Sequence, residues 1–373
     1  MGILFRNPKK IGNGHLAKAK QLNNYQCFLS FIHTLFGCDN LKRYDFEEER
    51  VRQEIIRLNA KRVLIQFPEG LKPEASRIAK IIEKLGALPF ISADPCYGAC
   101  DLATAEAESL DVDLIIHYGH SKLIKYERVP TIYVEARSTV SVNEAIDEAL
   151  PMLGNWQKIG LTTTIQHVQT LDSVREILLR AGKTVVIGDA GRLNYPGQVI
   201  GCDYSNAKSI AKDVEAFLFL GGGRFHALGV ALSTSKPVMV ADPYEGRAYS
   251  IDKEAEKIIK QRWASVEEAN KARTFGVLIG LKQGQKRLEE ALSVKEKLED
   301  NEKVVYLFVV REITPEALME FPTVDAYVNT ACPRISLDDA SKFSKPVLTI
   351  NEALVVVGEL SWEDLCRKGF FEN

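Results

Sequence analysis

The sequence lacks an excess of charge of either sign, and it lacks a long hydrophobic run. Its 48 lysines and arginines nearly balance its 50 aspartates and glutamates, so the formal net charge is −2. This balance argues against a broad basic surface for nucleic acid or for an anionic membrane. No apolar run reaches the roughly 18 residues of a membrane-spanning helix, and no clear cleavage site follows the short apolar segment 25–38. We therefore expect a cytoplasmic protein with no membrane partner and no direct nucleic-acid partner.

The sequence also lacks a compact framework of paired cysteines. Seven cysteines are present, an odd number, and they are spread along the chain. In a reducing compartment, cysteines of this kind are more often metal ligands, catalytic groups or buried side chains than halves of disulfides. The cysteines are therefore the first candidates for chemistry.

A pattern of alternating strands and helices recurs three times. The first strand of each unit is apolar or β-branched at its centre, and a helix with apolar residues at i, i+3 and i+4 follows it. These first strands fall within 62–70, 158–167 and 274–284. A later strand of each unit begins with Val-Asp or Val-Glu, and the tetrapeptide SKPV occurs in both the second and the third unit. Such alternation predicts parallel sheets with right-handed crossovers. We predict an α/β fold of three homologous small parallel-sheet domains around a pseudo-threefold axis.

The repeat also predicts the domain limits. An N-terminal extension covers 1–46, and the three domains cover 47–150, 151–265 and 266–373. The segment 45–60 predicts a helix that leads into the first strand. Each domain then contains one cysteine of interest: Cys100, Cys202 and Cys332.

These three cysteines stand at or near the carboxyl ends of predicted strands. Cys100 lies in DPCYGACDLA, Cys202 in VIGCDYSNA and Cys332 in VNTACPRISLDD. Open α/β sheets bind ligands at the carboxyl ends of their strands. Three sulfurs that converge on one metal centre leave a coordination position open for chemistry. The alternative is that each cysteine is a small buried side chain, as most lone cysteines are.

The metal itself is not fixed by the ligand type, because thiolates suit both zinc and iron–sulfur clusters. The histidines near strand ends are as readily structural as ligating: His117, His120, His167 and His226. The Cys-x-x-x-Cys spacing of Cys96 and Cys100 is interpreted as fortuitous. Three thiolates without a convincing fourth ligand favour a cubane cluster with one reactive iron.

Six motifs, taken together, carry a resemblance to a known family. They are QFPEGL, DPCYGACDLA, HYGHS, GLTTTIQHV, GLKQGQ and ACPRISLDD, at 66–71, 94–103, 117–121, 160–168, 280–285 and 331–339. The combination resembles the 2-(3-amino-3-carboxypropyl)histidine synthases, the archaeal enzymes of the first step of diphthamide biosynthesis. YGAC and ACPRIS, in this order, are its most specific parts. The resemblance runs from about residue 45 to near the C-terminus, and the segment before it looks additional to the family core.

The resemblance implies a transferase in which three domains each give one cysteine to a [4Fe–4S] cluster. Matched by motif, these ligands are Cys100, Cys202 and Cys332. It further implies that the unique iron engages S-adenosylmethionine and that the bond from sulfur to the methionine Cγ breaks, giving a 3-amino-3-carboxypropyl radical and methylthioadenosine. The radical adds to the imidazole C2 of a histidine in elongation factor 2. A homodimer and an external electron donor are the other implied partners.

One absence agrees with this expectation. Ordinary radical enzymes of S-adenosylmethionine carry a Cys-x-x-x-Cys-x-x-Cys loop, whereas Cys96 and Cys100 have no third cysteine two residues on. Cys96 is itself a departure from the family loop, where a different residue is expected. A cluster held by three distant domains could present its open iron to a different carbon–sulfur bond.

Further residues are predicted to bind the cofactor. The carboxylate at the methionine end of S-adenosylmethionine suits the backbone amides of a Gly-rich turn and a nearby arginine. The predicted set is Gln66, Gly221, Gly222, Gly223, Arg224, His226, Lys282, Gln285 and Arg334. The alternative for the Gly-rich segment is a tight turn with a solvated arginine. Arg334 could equally offset the charge of a reduced cluster or hold a helix end.

Two other functions remain open. One is a three-cysteine cluster enzyme of the quinolinate synthase type, whose open iron acts as a Lewis acid. The other is a non-catalytic electron-relay or scaffold subunit. The local motifs around Cys100 and Cys332 fit the diphthamide family better than the first, and the retention of all three cysteines argues against the second.

Overall fold

Three β-sheets, one after another along the chain, form the frame of the protein. The computed structural model describes residues 43–371. The predicted extension 1–46 therefore lies almost wholly outside the described residues, and the apolar segment 25–38 lies wholly outside them. The predicted fold class, α/β with three small and mostly parallel sheets, is confirmed.

The first sheet has four parallel strands in the order β2-β1-β3-β4. Its elements are α1 (Glu48–Leu58), β1 (Arg62–Gln66), α2 (Ala75–Lys84), β2 (Leu88–Ile91), α3 (Thr104–Ser109), β3 (Leu114–Tyr118) and β4 (Thr131–Val134). Helix α1 buries Val51 and Ile55, which are four residues apart on one face, and it ends where Asn59 adopts a left-handed conformation (φ 48°). The helix predicted for 45–60 is thus present, although its regular part begins at Glu48.

The second sheet has the order β6-β5-β7-β8-β9, and only its last strand is antiparallel. Its elements are α4 (Asn143–Met152), β5 (Lys158–Thr163), α5 (Leu171–Arg180), β6 (Thr184–Val186), α6 (Ser205–Ile210), β7 (Ala216–Leu220), α7 (Phe225–Thr234), β8 (Val238–Asp242) and β9 (Arg247–Ser250). The antiparallel strand was not predicted. It follows a tight reversal at Gly246, whose φ of 62° favours glycine.

The third sheet repeats the order of the first, as β11-β10-β12-β13. Its elements are α8 (Asp252–Asn270), β10 (Thr274–Gly280), α9 (Leu288–Asp300), β11 (Val304–Val310), α10 (Pro315–Met319), β12 (Ala326–Asn329), α11 (Pro333–Asp338), β13 (Val347–Leu348), α12 (Ile350–Val356) and α13 (Trp362–Lys368). Among the helices within 43–371, none combines the length and the apolar character needed to cross a membrane.

The Val-Asp and Val-Glu repeats have a common structural role. In each domain the carboxylate accepts hydrogen bonds from two backbone N–H groups at the start of the first strand: Asp113 from Lys61 and Arg62, Glu215 from Gln157 and Lys158, and Asp325 from Arg273 and Thr274. An exposed acid at this position therefore fixes the first strand against the third. The recurrence of this contact shows that the sequence repeat is a structural repeat.

Two helices and the C-terminal segment connect the sheets more closely than the predicted domain limits suggest. Helix α4 packs Ala145, Ile146 and Ala149 into the core of the second sheet, although it spans the predicted limit at 150. Helix α8 contributes to the core of the second sheet near its start and to that of the third near its end. The C-terminal Phe370 and Phe371 return to the second sheet. The numerical domain limits stay a prediction.

Candidate metal centre

The three predicted cysteines lie in loops of three different domains, and the charge of one affects the pKa of another. Cys100 lies in the loop between β2 and α3, Cys202 in the turn before α6, and Cys332 directly before α11. Burial raises the pKa of the Cys100 thiol to about 11, and the Cys332 thiolate contributes to that rise. Burial raises the pKa of Cys202 to about 12, with both other cysteines as further causes. The fold therefore brings these three sulfurs toward one place.

Cys332 directly precedes helix α11, whose first backbone N–H groups interact with it. Burial raises the pKa of its thiol, while the N–H groups of Arg334 and Ile335 and the Arg334 guanidinium oppose the rise. Asn329 holds the turn before it: its Oδ1 accepts from Ala331 N at 2.9 Å, and its Nδ2 donates to Cys332 O at 2.6 Å. Helix N-termini favour thiolate over thiol. This end of the site is therefore prepared for a negatively charged sulfur.

Gln66, a residue of the first sheet, holds the loop that contains Cys100. The side chain of Gln66 is buried at the end of β1, where Nε2 donates to Asp101 O at 2.7 Å and Oε1 accepts from Ala103 N at 3.1 Å. Both ends of the amide are thus engaged by the protein. Gln66 lies beside the metal centre as a support of the Cys100 loop, and its predicted contact with a cofactor stays a prediction.

Residues of the third domain also contact the Cys100 loop. In the 3-10 turn Gln283–Gln285, Gly284 N donates to Cys100 O at 2.9 Å and Gln285 Nε2 donates to Cys100 Sγ at 3.5 Å. Lys282 pairs with Asp101 at 2.8 Å and also with Glu312, and its ammonium lies 4.4 Å from the centre of the Tyr97 ring. Although burial opposes its charge, these two carboxylates raise the pKa of Lys282. The predicted residues Lys282 and Gln285 are therefore both at the centre.

The contact between Gly284 and Cys100 is too close for any side chain. A Cβ at Gly284 would lie 2.5 Å from Cys100 Cα and 2.6 Å from Cys100 Cβ. We expect Gly284→Ala to lower the free energy of unfolding by about 1–3 kcal/mol, the usual cost of overpacking. Urea unfolding of the variant measures this.

Gly70→Ala is the matched control, because a Cβ at Gly70 meets no atom within 4 Å and the residue has no positive φ. It should leave stability unchanged within about 0.5 kcal/mol. Equal stability of the two variants would show that the third domain does not press on the Cys100 loop.

A pocket beside Cys202 contains an arginine that the sequence analysis did not select. Its lining includes Cys202, Arg287, Thr330 and Thr349. The charge of Arg287 opposes the rise in the pKa of the Cys202 thiol. The only sequence signal was the basic pair after GLKQGQ, at the point where α9 begins. The Thr330 hydroxyl donates to Leu278 O and the Thr349 hydroxyl accepts from Glu352 N, so what the pocket offers next to one of the cysteines is the Arg287 cation.

Arg334 joins the second and third domains. Its Nη2 donates to Phe225 O and to Asp338 Oδ1, both at 2.9 Å, and its guanidinium lies 3.8 Å from the centre of the Phe225 ring. Its Nη1 is buried and has no hydrogen-bond partner among the described residues. Burial lowers the pKa of the neighbouring His226 to about 3, and Arg334 adds to this effect. Arg334 thus carries a spare buried donor close to Cys332.

The Gly-rich turn uses two of its N–H groups within the protein. Gly221 N donates to Ala241 O at 3.0 Å and Gly223 N donates to Asp242 Oδ2 at 2.9 Å. Gly222 lies against Tyr244, where a Cβ would come within 2.6 Å of the ring. Arg224 is exposed, pairs with Glu254 and lies over the Tyr249 ring. The structure therefore places the Arg224 side chain on Glu254, and cofactor binding by this turn stays a prediction.

Comparison with known proteins shows the family. Residues 67–366 match the family described as "Putative diphthamide synthesis protein". The chain belongs to this family. A 2-(3-amino-3-carboxypropyl)histidine synthase of Pyrococcus horikoshii is 40% identical over 320 residues, which cover 84% of this chain and 91% of that protein. Subunit 1 of the human synthase is 31% identical over 342 residues, which cover 88% of this chain and 75% of that protein.

Family members with solved structures share the fold. The crystal structure of Dph2 from Pyrococcus horikoshii with a 4Fe–4S cluster has a TM-score of 0.80 and 38% identity, and the match covers 88% of this chain and 94% of that one. The matched family segment contains all three cysteines. The predicted family membership is therefore confirmed, and the named relatives are transferases.

Proposed function

We propose that this chain transfers the 3-amino-3-carboxypropyl group of S-adenosylmethionine to C2 of a histidine imidazole in elongation factor 2, the first step of diphthamide biosynthesis. The observation that carries the proposal is that contacts join the loops of Cys100, Cys202 and Cys332. Gln285 donates to Cys100 Sγ, Arg287 lines a pocket with Cys202, and a Cβ at Gly201 would lie 3.8 Å from Arg334 Cγ. Relatives named for this synthase activity, and a neighbour that contains a 4Fe–4S cluster, support it.

The residues present fit a [4Fe–4S] cluster. Three cysteine ligands leave one iron of a cubane open. Arg334 Nη1, a buried donor without a partner, suits a negatively charged group beside Cys332. Gln285 already donates to Cys100 Sγ, as second-layer donors to cluster sulfurs do. When bound, the cluster supplies the electron that cleaves S-adenosylmethionine.

The protein groups have separate tasks in this scheme. Cys100, Cys202 and Cys332 hold the iron and must each lose a proton to do so, which their burial opposes and their neighbouring cations assist. Asn329 and Gly284 fix the backbone of two of the cysteines. Burial of the site keeps water from a reactive intermediate.

S-adenosylmethionine has a candidate place next to the cysteines. Of the predicted cofactor-binding residues, Gln285 and Arg334 act directly on cysteines of the centre. The pocket that contains Arg287 adds a cation that suits a carboxylate. We assign the methionine end of the substrate to this pocket. The other predicted residues do not line this pocket, and their contact with the cofactor stays a prediction: Gln66, Gly221, Gly222, Gly223, Arg224, His226 and Lys282.

The partners in this proposal are elongation factor 2, an external electron donor and a second copy of the chain, in the cytoplasm. The edge of the third sheet supports the homodimer. Strand β11 lies at the end of its sheet and exposes Val304, Tyr306 and Val309. An open apolar edge is a ready surface for pairing with another strand. Light scattering of the purified chain should give twice the mass of one chain, and a monomer mass would remove this partner.

Transfer to the protein substrate is tested with an archaeal elongation factor 2. The chain, loaded with iron and sulfide without oxygen, is mixed with S-adenosylmethionine, dithionite and the factor, and tryptic peptides are analysed by mass spectrometry. We expect one added 3-amino-3-carboxypropyl group on one histidine. A factor with that histidine changed to alanine is the control. Cleavage of S-adenosylmethionine without any modified peptide would contradict the proposed acceptor.

A further inference from the structure

A second group of metal-ligating side chains lies behind the Cys100 loop. One ligand atom each from Cys96, His117 and His120 lies within 4.8 Å of the others. Cys96 and His117 are buried and His120 is half-buried. None of the three belongs to the cysteine centre described above. They form a mixed sulfur and nitrogen set.

The local fold brings these residues together through glycine. His117 lies in β3, and the chain reverses at Gly119, where φ is 83°, so that His120 returns over His117. A Cβ at Gly119 would come within 2.8 Å of Pro68 Cγ. The two rings approach until His117 Nε2 lies 2.9 Å from His120 Nδ1. Cys96 arrives from the loop after β2, at the same end of the sheet.

Gln66 fixes which nitrogen of His117 is available. Gln66 Oε1 accepts from Ala103 N at 3.1 Å, so this end of the amide is the acceptor. It lies 2.8 Å from His117 Nδ1, which must therefore carry the proton. The lone pair is left on Nε2, which faces His120. Histidines that bind metals usually donate their other ring N–H to an oxygen in this way.

We propose that Cys96, His117 and His120 form a second metal site, for Zn²⁺, separate from the three-cysteine centre. One thiolate and two imidazoles are a ligand set typical of zinc, and three protein ligands leave one position for water. Zinc–nitrogen bonds of about 2.0–2.1 Å in a tetrahedron place two ligand nitrogens roughly 3.3 Å apart. The two nitrogens, 2.9 Å apart in a hydrogen bond, would move apart by a few tenths of an ångström, and the rings would rotate so that both lone pairs turn toward the ion.

The position of this site indicates its task. Cys96 and Cys100 belong to the same loop, and His117 belongs to the adjoining part of the first sheet. A zinc ion at Cys96 ties this loop to β3, four residues before the ligand Cys100. None of the three ligands lines the pocket beside Cys202 to which the substrate is assigned. It therefore positions the Cys100 loop and takes no part in the transfer.

The test uses the full chain loaded with its iron–sulfur cluster. Zinc is added, loosely held metal is removed by gel filtration, and zinc and iron per chain are measured. X-ray absorption at the zinc edge then reports the ligands of zinc alone, because the cluster contains a different metal. The variants are Cys96→Ser and His120→Gln. Cys366→Ser is the control, since Cys366 is a half-buried free cysteine in α13.

We expect one zinc per chain with one sulfur neighbour at about 2.3 Å and nitrogen or oxygen neighbours at about 2.0–2.1 Å. Cys96→Ser and His120→Gln should each lower the retained zinc at least tenfold, while Cys366→Ser keeps it. Zinc with two or more sulfur neighbours would place it at the three-cysteine centre and overturn the proposal. So would the absence of retained zinc, or zinc that both variants keep. These readouts do not depend on cleavage of S-adenosylmethionine.

Discussion

Each of the three single variants Cys100→Ala, Cys202→Ala and Cys332→Ala should lose the bound cluster. Each sulfur comes from a different sheet, so no neighbouring cysteine of the same loop takes over at Cys202 or Cys332 among the described residues. Changes that only weaken support of a ligand already cost about 10–100-fold in metal affinity, and loss of a ligand exceeds that. Iron per chain after anaerobic reconstitution should fall at least about tenfold. Cleavage of S-adenosylmethionine should fall below detection.

The sharpest control for this series is within one loop. Cys96 and Cys100 are four residues apart, yet Gln285 and Gly284 contact only the second of them among the described contacts. Cys96→Ala removes a ligand of the proposed zinc site but none of the cluster, so it should lose less iron than Cys100→Ala, and Cys366→Ala should behave like wild type. Full iron content in the Cys100→Ala chain, or loss of iron in the Cys96→Ala chain alone, would show that the loop ligand is misassigned.

Loss of the charge on Glu352 should destabilise the third domain by about 3–5 kcal/mol, because it leaves a buried arginine without its counter-ion. Arg262 of α8 and Glu352 of α12 are both completely buried and form two hydrogen bonds of 2.7 Å. Arg262 also donates to Ser336 O and Val347 O. Because Ser336 belongs to α11, which begins directly after Cys332, the pair also supports that ligand.

Glu352→Gln is the variant of choice, since the amide keeps the shape of the side chain and an acceptor for Thr349 N. Urea unfolding measures the free-energy difference. The matched control is Glu359→Gln, which breaks the exposed pair with Lys297 and should cost about 0–1 kcal/mol. In the Glu352→Gln chain, Arg262→Met should recover part of the loss by removing the unpaired charge. Equal effects of the two Glu→Gln changes would contradict the account of the buried pair.

The repeat was predictable because it is local. Each domain has the same strand, helix and strand pattern, and the Val-Asp or Val-Glu pairs mark a contact within one sheet. The cysteines were predictable for a related reason, since strand ends are where open sheets bind ligands. The antiparallel β9 was missed because it is a short edge strand with little apolar pattern of its own.

The contacts between domains were not predictable from one sequence. Gln285 meets Cys100 across 185 positions, and Lys282 meets Asp101 across 181. No periodicity connects residues at such separations. Arg224 shows the reverse problem: its place after a Gly-rich turn suggested a ligand, but Glu254 and Tyr249 lie within its reach once α8 packs. The same applies to Cys96, His117 and His120, whose spacing gives no metal motif until the turn at Gly119 is formed.

The product of S-adenosylmethionine cleavage tests the central claim most directly. The reconstituted chain is reduced with dithionite without oxygen, in the absence of elongation factor 2, and the nucleosides are separated by chromatography. The account predicts methylthioadenosine, and its loss when Cys100, Cys202 or Cys332 is changed to alanine. 5′-Deoxyadenosine in its place would show cleavage on the other side of the sulfur and would contradict the transfer of a 3-amino-3-carboxypropyl group. No cleavage by a chain that holds its cluster would contradict it as well.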